Sequence, residues 1–383
     1  EAANLVHCIR YIHLGVVYKC TMTMIVLTRR LWKPLLRRVS HPTLKVLYVI
    51  AFLSMIFVLL SLRTSNSFQP QHRMVEFCST SEHNVRYVDV SFYSHVDLII
   101  IAIVYDRATS LQRLLESLNN AHFYGDNIDL HVWIDRSENG TIDSRTYMVA
   151  RDFTFKHGQY YVHNQTCHVG IYGQWMGTWY PGISGSEIAV ILEDDLTVSP
   201  YFYKWLKVVH RRFDNRHDIN GYSLQGISIK HGIDQDGFLD VNKTHKAFLY
   251  PILGTWGFSP NNRNWRAFSD WYMKVRSDPL FQPYVEGIHP SVWYEEQLVN
   301  GRRDRMWSMW FIYYAWINKE YTLYCNFNEH QGLTINWKEP GLHYSKNDDV
   351  IKPDPLLLDW KPEYEDLPEH PVIVDVNGNE MIP

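Results

Sequence analysis

Residues 96–104 read VDLIIIAIV, an almost unbroken apolar run rich in β-branched side chains. A strand with water on one face alternates apolar and polar residues. A run without alternation is the pattern of a strand covered on both faces, as in a parallel sheet flanked by helices. Leu111, Leu114, Leu115 and Leu118 then recur at helical spacing and predict a crossover helix. Ile128–Ile134 reads as the next strand, 143–156 as a helix, 160–163 as a short strand, 172–180 as a helical stretch and 188–192 as another buried strand. Residues 200–211 read as a helix with Ser199 as N-cap and Pro200 in the first turn. This alternation predicts an α/β fold with a mostly parallel central sheet, whose ligands bind at the carboxyl ends of the strands. No internal repeat is visible.

A second feature divides the chain. Residues 46–62 (VLYVIAFLSMIFVLLSL) carry no charge and lie between Lys45 and Arg63. The run is at the short end of what spans a bilayer, and the flanking cations can snorkel to the interface. It is apolar on every face, unlike a core helix, and lies too far from the start for an ordinary signal peptide. A single transmembrane helix over 44–63 is the expectation. Lys and Arg crowd residues 10–45, where no acid occurs, so residues 1–43 are expected in the cytosol and all that follows in the lumen, a type II arrangement of the Golgi or ER membrane. The sequons at Asn139, Asn164 and Asn242 all follow the run. Five cysteines are too few for a disulfide scaffold; among Cys78, Cys167 and Cys325 at most one intrachain pair forms and one thiol is left over. Residues 64–95 then read as a stem, 96–345 as the catalytic domain and 346–383, rich in Pro and acids, as a peripheral tail.

Composition narrows the function classes. A formal net charge of −4 speaks against a nucleic-acid binder, and 46% hydrophobic residues suit an ordinary globular core. Aromatic residues make up 15% of the chain, as core for the most part, with stacking surfaces for sugars or a nucleobase as the sharper alternative.

The chemistry is concentrated where the strand at 188–192 ends, in Glu193-Asp194-Asp195. Consecutive carboxylates at the mouth of a buried strand are costly unless a cation joins them. A divalent ion such as Mn²⁺ or Mg²⁺ meets that need and can in turn bridge phosphates. A solvated turn, or capping of the next helix, remains the alternative.

The segment VILEDDLTVSPYFYKWL resembles the metal-binding strand of GT-A glycosyltransferases, whose nucleotide-sugar domain is Rossmann-like. It is especially similar to the N-acetylglucosaminyltransferase I and protein O-mannose N-acetylglucosaminyltransferase group. Ile103-Val-Tyr-Asp106-Arg107-Ala-Thr-Ser resembles the first strand end of that group, His131-Val-Trp-Ile-Asp135 its second, and residues 251–257 (PILGTWG) its acceptor-side loop. Residues 309–326 are similar to family-2-like transferases. The resemblance covers roughly 96–345. It implies Asp195 as direct metal ligand, Glu193 and Asp194 on the ribose, the sugar or metal-bound water, Asp106 and Arg107 facing the nucleotide, and Asp135 near the base. It implies transfer of GlcNAc or another hexose from a UDP-sugar to a lumenal glycan or glycoprotein.

One position departs from that pattern. The related inverting enzymes carry a carboxylate base in a motif that reads Met306-Trp307-Ser308-Met309-Trp310 here, with no acid. An inverting transfer needs a base within hydrogen-bond reach of the acceptor hydroxyl. Asp304, Glu295 and Glu296 are the nearby choices, Asp304 first. If none reaches the site, a retaining mechanism or a catalytically inactive sugar- or nucleotide-binding protein follows.

Overall fold

A computed structural model describes residues 96–182, 187–234, 237–339 and 355–381, all within the unit that spans residues 70–383. In chain order the regular elements are β1 (Leu98–Val104), α1 (Ala108–Asn119), β2 (Ile128–Ile134), α2 (Ser144–Asp152), β3 (Gly158–Asn164), α3 (Gly170–Gly177), β4 (Ile188–Glu193), β5 (Leu196–Val198), α4 (Phe202–Phe213), β6 (Ile219–Ser223), β7 (Ala247–Tyr250), β8 (Phe258–Pro260), α5 (Asn262–Val275), α6 (His289–Val299), α7 (Ser308–Asn318), β9 (Tyr321–Cys325), β10 (Thr334–Asn336), β11 (Val372–Val374) and β12 (Glu380–Met381). Ten strands form one sheet in the order β12-β11-β7-β9-β6-β8-β4-β1-β2-β3, and β10 pairs with β5 beside it. The β4-β1-β2-β3 half is parallel throughout, while β8 joins β4 and β6 antiparallel. The fold is mixed α/β with a mostly parallel central sheet.

The unbroken apolar runs have a direct cause. Along β1, Ile100, Ala102 and Val104 enter the cluster that contains Leu111, Leu114 and Leu118 of α1, whereas Ile101 and Ile103 enter the opposite cluster with Trp175, Trp265 and Trp310. β4 divides likewise, Val190 and Leu192 to one side and Ala189 and Ile191 to the other. Each strand is therefore buried on both faces, and neither can afford a polar alternation.

Three expectations are corrected here. The fourth long helix starts at Phe202, not Pro200, and Tyr201 is its N-cap. The Ser199 hydroxyl instead donates to the Leu357 carbonyl (2.5 Å) and accepts from the Tyr201 N–H (3.1 Å), pinning the turn that enters the helix. The strand expected at 160–163 extends over Gly158–Asn164 because it pairs with β2 along its whole length. Of the 346–383 stretch expected as a peripheral tail, the described residues 355–381 do not behave as one: β11 joins β7 in the main sheet, and Leu357, Tyr364, Leu367 and Val374 are buried. Its apolar anchors are too widely spaced among Pro and acids to show a period.

Cys167 is disulfide-bonded and Cys325 is a buried free thiol. No helix among the described residues is long and apolar enough to cross a membrane. The 46–62 run, the segment before it and the stem up to residue 95 lie outside the described residues.

Candidate nucleotide-sugar site

Strand order reverses around β1: its chain successor β2 lies on one side and β4 on the other. Such a switch point opens a crevice at the strands' carboxyl ends. Parallel register sets Ile103 beside Glu193, so the residues that follow β1 and β4 emerge side by side. Arg107 and the acidic triplet, nearly ninety positions apart, meet there.

Arg107 occupies the N-cap of α1, a position that favours Ser, Thr, Asp or Asn and disfavours a cation. Its side chain turns away from the helix and clamps the triplet. Nε donates to Asp194 Oδ2 (3.2 Å), Nη2 pairs with Asp194 Oδ1, and Nη1 pairs with Asp195 Oδ2 (3.2 Å). Asp195 Oδ1 accepts from Asn336 Nδ2 (3.1 Å), and Glu193 Oε1 from Trp175 Nε1 (3.0 Å).

Burial raises all three carboxyls; repulsion from the other triplet acids adds to it for Glu193 and Asp194, and repulsion from Glu339 for Asp195. Glu193 is pushed up to about 8 and Asp194 to about 7, with Arg107 opposing the rise in both; Asp195 is also raised. Burial opposes the charge on Arg107, but Asp194 and Asp195 hold its pKa above the ordinary arginine value. One guanidinium thus pairs with two buried acids beside a third that is half-buried, and the cluster is short of positive charge.

Asp135, at the end of β2, lines the same cleft but its carboxylate is occupied. Oδ1 accepts from the backbone N–H of Arg136 (2.8 Å) and Val169 (2.9 Å), and Oδ2 from Gly170 N–H (2.8 Å). It holds the start of α3, with His168 Nδ1 3.2 Å from Oδ2. Asp106 is exposed on the cleft wall, next to Tyr105, which is 40% exposed and 6.2 Å from His168 between ring centres.

Glu295 and Glu296 are exposed on α6 and do not line the cleft. Asp304 belongs to a short 3-10 turn, and its side chain lies outside the described set.

Several site residues had no signal of their own in the sequence. β10 pairs antiparallel with β5, Asn336 opposite Leu196, and so brings residues 336–339 against the triplet. Glu339 there accepts from Ser110 Oγ and Arg113 Nη2, and the Arg113 guanidinium stacks 4.3 Å above Trp337. Trp175, the partner of Glu193, stacks on Trp307 at 4.2 Å and 20°. Only the sparse Asn-Trp-Lys-Glu after Leu-Thr-Ile could have pointed to 336–339, and that is a common string.

The cleft encloses about 880 Å³. Besides the acids it is lined by residues 227–229, His231, Phe238, residues 252–256, Pro290, Trp293 and residues 305–308. Gly254 lets the chain pass close there, since a Cβ would lie 2.4 Å from Ser223 Oγ and 2.5 Å from Gln225 Oε1.

Among the described residues no three His, Cys, Asp or Glu side chains form a ready cage for a metal. The donor set nonetheless fits a hard divalent ion of the Mg²⁺ or Mn²⁺ kind, which takes one or two protein carboxylates and completes its shell with phosphates and water. The uncompensated acids at 193–195 are what such an ion would neutralise.

No protein-family model matches the chain, and no curated protein does. Among solved structures, the chain is similar to S. aureus TarS 1-349 with a TM-score of 0.34 and 10% identity, over 61% of this chain and 62% of that one. It is also similar to the mannosyltransferase PcManGT from Pyrobaculum calidifontis in complex with GDP-Man and Mn²⁺, with a TM-score of 0.31 and 13% identity, over 56% of this chain and 55% of that one. In both cases the match spans less than two thirds of the other chain.

Proposed function

We propose that this chain is a metal-dependent glycosyltransferase that moves a sugar, GlcNAc or another hexose, from a UDP-sugar to a glycan or glycoprotein. The observation that carries the reading is the Arg107 clamp on Asp194 and Asp195 at the switch point of a parallel sheet, inside a cleft of about 880 Å³. A cation at a helix N-cap is locally unfavourable. Its survival there makes sense if the guanidinium and the acids are held as a unit for a diphosphate and its counter-ion.

In this reading Asp195 and its neighbour Asp194 hold the divalent ion. Bound there, the ion would supply charge neutralisation for the departing diphosphate. Arg107 is then free to turn from the carboxylates to a phosphate, for which its fork is suited. Glu193, fixed by Trp175, faces the sugar or ribose. Asp135 acts through the backbone by holding α3, and Asp106 and Tyr105 border the space for the nucleoside.

A lumenal placement is part of the proposal. All three sequon asparagines, Asn139, Asn164 and Asn242, are exposed and accessible to glycosylation. The disulfide at Cys167 suits an oxidising compartment. The membrane anchor over 44–63 and the Golgi or ER address rest on the sequence pattern alone.

A catalytically inactive nucleotide- or sugar-binding protein is the second reading, favoured by the missing acid in residues 306–310. One assay separates the two. The purified chain is incubated with UDP-GlcNAc, other UDP-hexoses and GDP-mannose, with and without Mn²⁺, and released nucleoside diphosphate is measured. The enzyme reading expects Mn²⁺-dependent release from at least one donor; the binding reading expects Mn²⁺-dependent protection by UDP against thermal unfolding and no release. Absence of both sinks the nucleotide-sugar site. Asp195→Asn should remove the protection and leave the unliganded melting temperature within a few degrees.

A further inference from the structure

The lining of the cleft contains one unexplained group. His231, in the connection between β6 and β7, lines the cleft. Its backbone is held from three sides: its N–H donates to Val376 O (2.9 Å) and lies 3.2 Å from the Tyr250 hydroxyl, while its carbonyl accepts from His289 N–H (2.8 Å). The ring packs against Tyr250, 6.0 Å between centres, and meets Trp293 edge-on at 5.9 Å and 75°. Trp293 is itself stacked on His289 at 5.8 Å and 12°. The imidazole is therefore fixed in place by packing.

It is not fixed by hydrogen bonds. Nδ1 is buried with no partner, and neither ring nitrogen bonds to another described residue. A buried polar ring without partners costs free energy and calls for an explanation. With Nδ1 sealed in the wall, Nε2 is the atom left for whatever occupies the cleft. Burial, and next the neighbouring His289, lowers its pKa to about 3, so the ring is neutral near pH 7 and has a lone pair to offer.

The other bases of the cleft are engaged or follow the strand ends, and His168 is held through Nδ1 at the Arg136 carbonyl and the Asp135 carboxylate. Asp135, Glu193, Asp194, Asp195 and Glu339 each accept hydrogen bonds, and all lie with Asp106 on the wall formed by the ends of β1, β2, β4 and β10. Among the described residues that line the cleft between Gln225 and Ile312, His231 is the one His, Asp or Glu. Trp293 beside it, and Phe238 elsewhere in the lining, are flat apolar surfaces of the sort on which a pyranose ring stacks.

We infer that His231 takes the proton of the acceptor hydroxyl, with Nε2 as the receiving atom. The assignment rests on the glycosyltransferase reading. The acceptor oxygen bonds to the anomeric carbon as that carbon's bond to the diphosphate oxygen breaks. The nucleoside diphosphate leaves with the electron pair of that bond, and the hydroxyl proton passes to the neutral imidazole, which carries its own proton on Nδ1. The imidazolium that forms shares the cleft with the acids, whose negative charge favours it, and returns its proton to water after release.

The test uses the full chain in detergent, UDP-GlcNAc with Mn²⁺ as donor and methyl α-mannoside as acceptor, with transfer to water measured in parallel. His231→Ala and His231→Asn are compared with Asp304→Asn. UDP with Mn²⁺ should protect all three variants from thermal unfolding as it protects the parent chain, which shows the donor side intact. Transfer by the His231 variants should fall 10²- to 10⁴-fold, the range for a lost general base. Added imidazole should restore activity to His231→Ala in proportion to its concentration and leave Asp304→Asn unaffected. Transfer within about threefold of the parent in either His231 variant overturns the assignment. So does a loss that imidazole does not reverse, since it gives the ring a packing role only, and so does a loss confined to Asp304→Asn. Failure of the parent chain to bind UDP overturns the glycosyltransferase reading, and this assignment falls with it.

Discussion

Arg107 and Asp194 are joined by two contacts across the mouth of the sheet, Nε to Oδ2 at 3.2 Å and Nη2 to Oδ1, with the Asp194 side chain only 3% exposed. A bidentate guanidinium–carboxylate pair has a fixed geometry that an ammonium cannot copy. Breaking a buried pair by removing one partner leaves the other uncompensated. Here the acids can protonate instead, which softens the cost. Arg107→Gln should lower stability by about 1–3 kcal/mol at pH 7 in urea unfolding, and Mn²⁺-dependent UDP binding by calorimetry should weaken more than tenfold. Arg107→Lys should recover little of the binding. A lysine variant that binds UDP normally would show that the fork geometry is irrelevant.

Asp135 holds the start of α3 through both carboxylate oxygens. An Asn there keeps one acceptor oxygen and turns the other group into a donor facing an N–H. Asp135→Asn should cost about 1–3 kcal/mol, the penalty of an unmade buried hydrogen bond. Amide exchange at Val169 and Gly170 should quicken, and calorimetric melting checks the magnitude.

His131 and His163 stack at 5.1 Å with their rings nearly parallel, and His131 Nδ1 lies 2.9 Å from His163 Nε2. That contact needs one donor and one acceptor, so the two rings cannot both be protonated. Burial lowers His131 to about 3, with His163 adding to the effect, and burial lowers His163 to about 4. In the unfolded chain both titrate at the ordinary histidine value of about 6.5. The unfolded state therefore binds more protons in this window, and stability is full above about pH 6.5 and falls as the pH drops toward 4. His131→Phe, which keeps the stack, should flatten that acid limb. An unchanged acid limb in the variant would remove this pair as its source.

Glu320, just ahead of β9, gives the opposite slope. Burial raises its carboxyl to about 7, with Asn264 and Arg263 opposing the rise, and its Oε2 has no partner. The folded state thus holds the proton more tightly, so this contribution is full below the unfolded value near 4.3 and is lost as the pH rises through 7. Glu320→Gln should raise stability at pH 8 by about 1 kcal/mol, discounted for partial exposure, and change little at pH 4. Equal effects at both pH values would show that packing, not charge, is responsible.

How far the sequence could be read depended on how local the cause was. β1, β2 and β4 were legible because burial on both faces forces a composition that no exposed segment carries, and the acids ending β4 followed from that. Ser199 was misjudged as a cap because its true partner, the Leu357 carbonyl, lies 158 positions on. The 355–381 stretch was taken for a tail because its anchors are single apolar residues, each satisfied by a distant neighbour and none repeating.

By itself the sequence determined the kind of fold and the strand ends where chemistry is concentrated, since alternation, helical spacing and strand composition are properties of neighbouring residues. Only the tertiary structure decided what those ends meet. Parallel register set Arg107 on Asp194 and Asp195, the β5–β10 ladder delivered Asn336 and Glu339, and loop packing left the His231 ring Nδ1 without a partner in the cleft lining. Each of those contacts joins residues far apart along the chain, and such pairings depend on how strands are ordered in space, which no local pattern encodes.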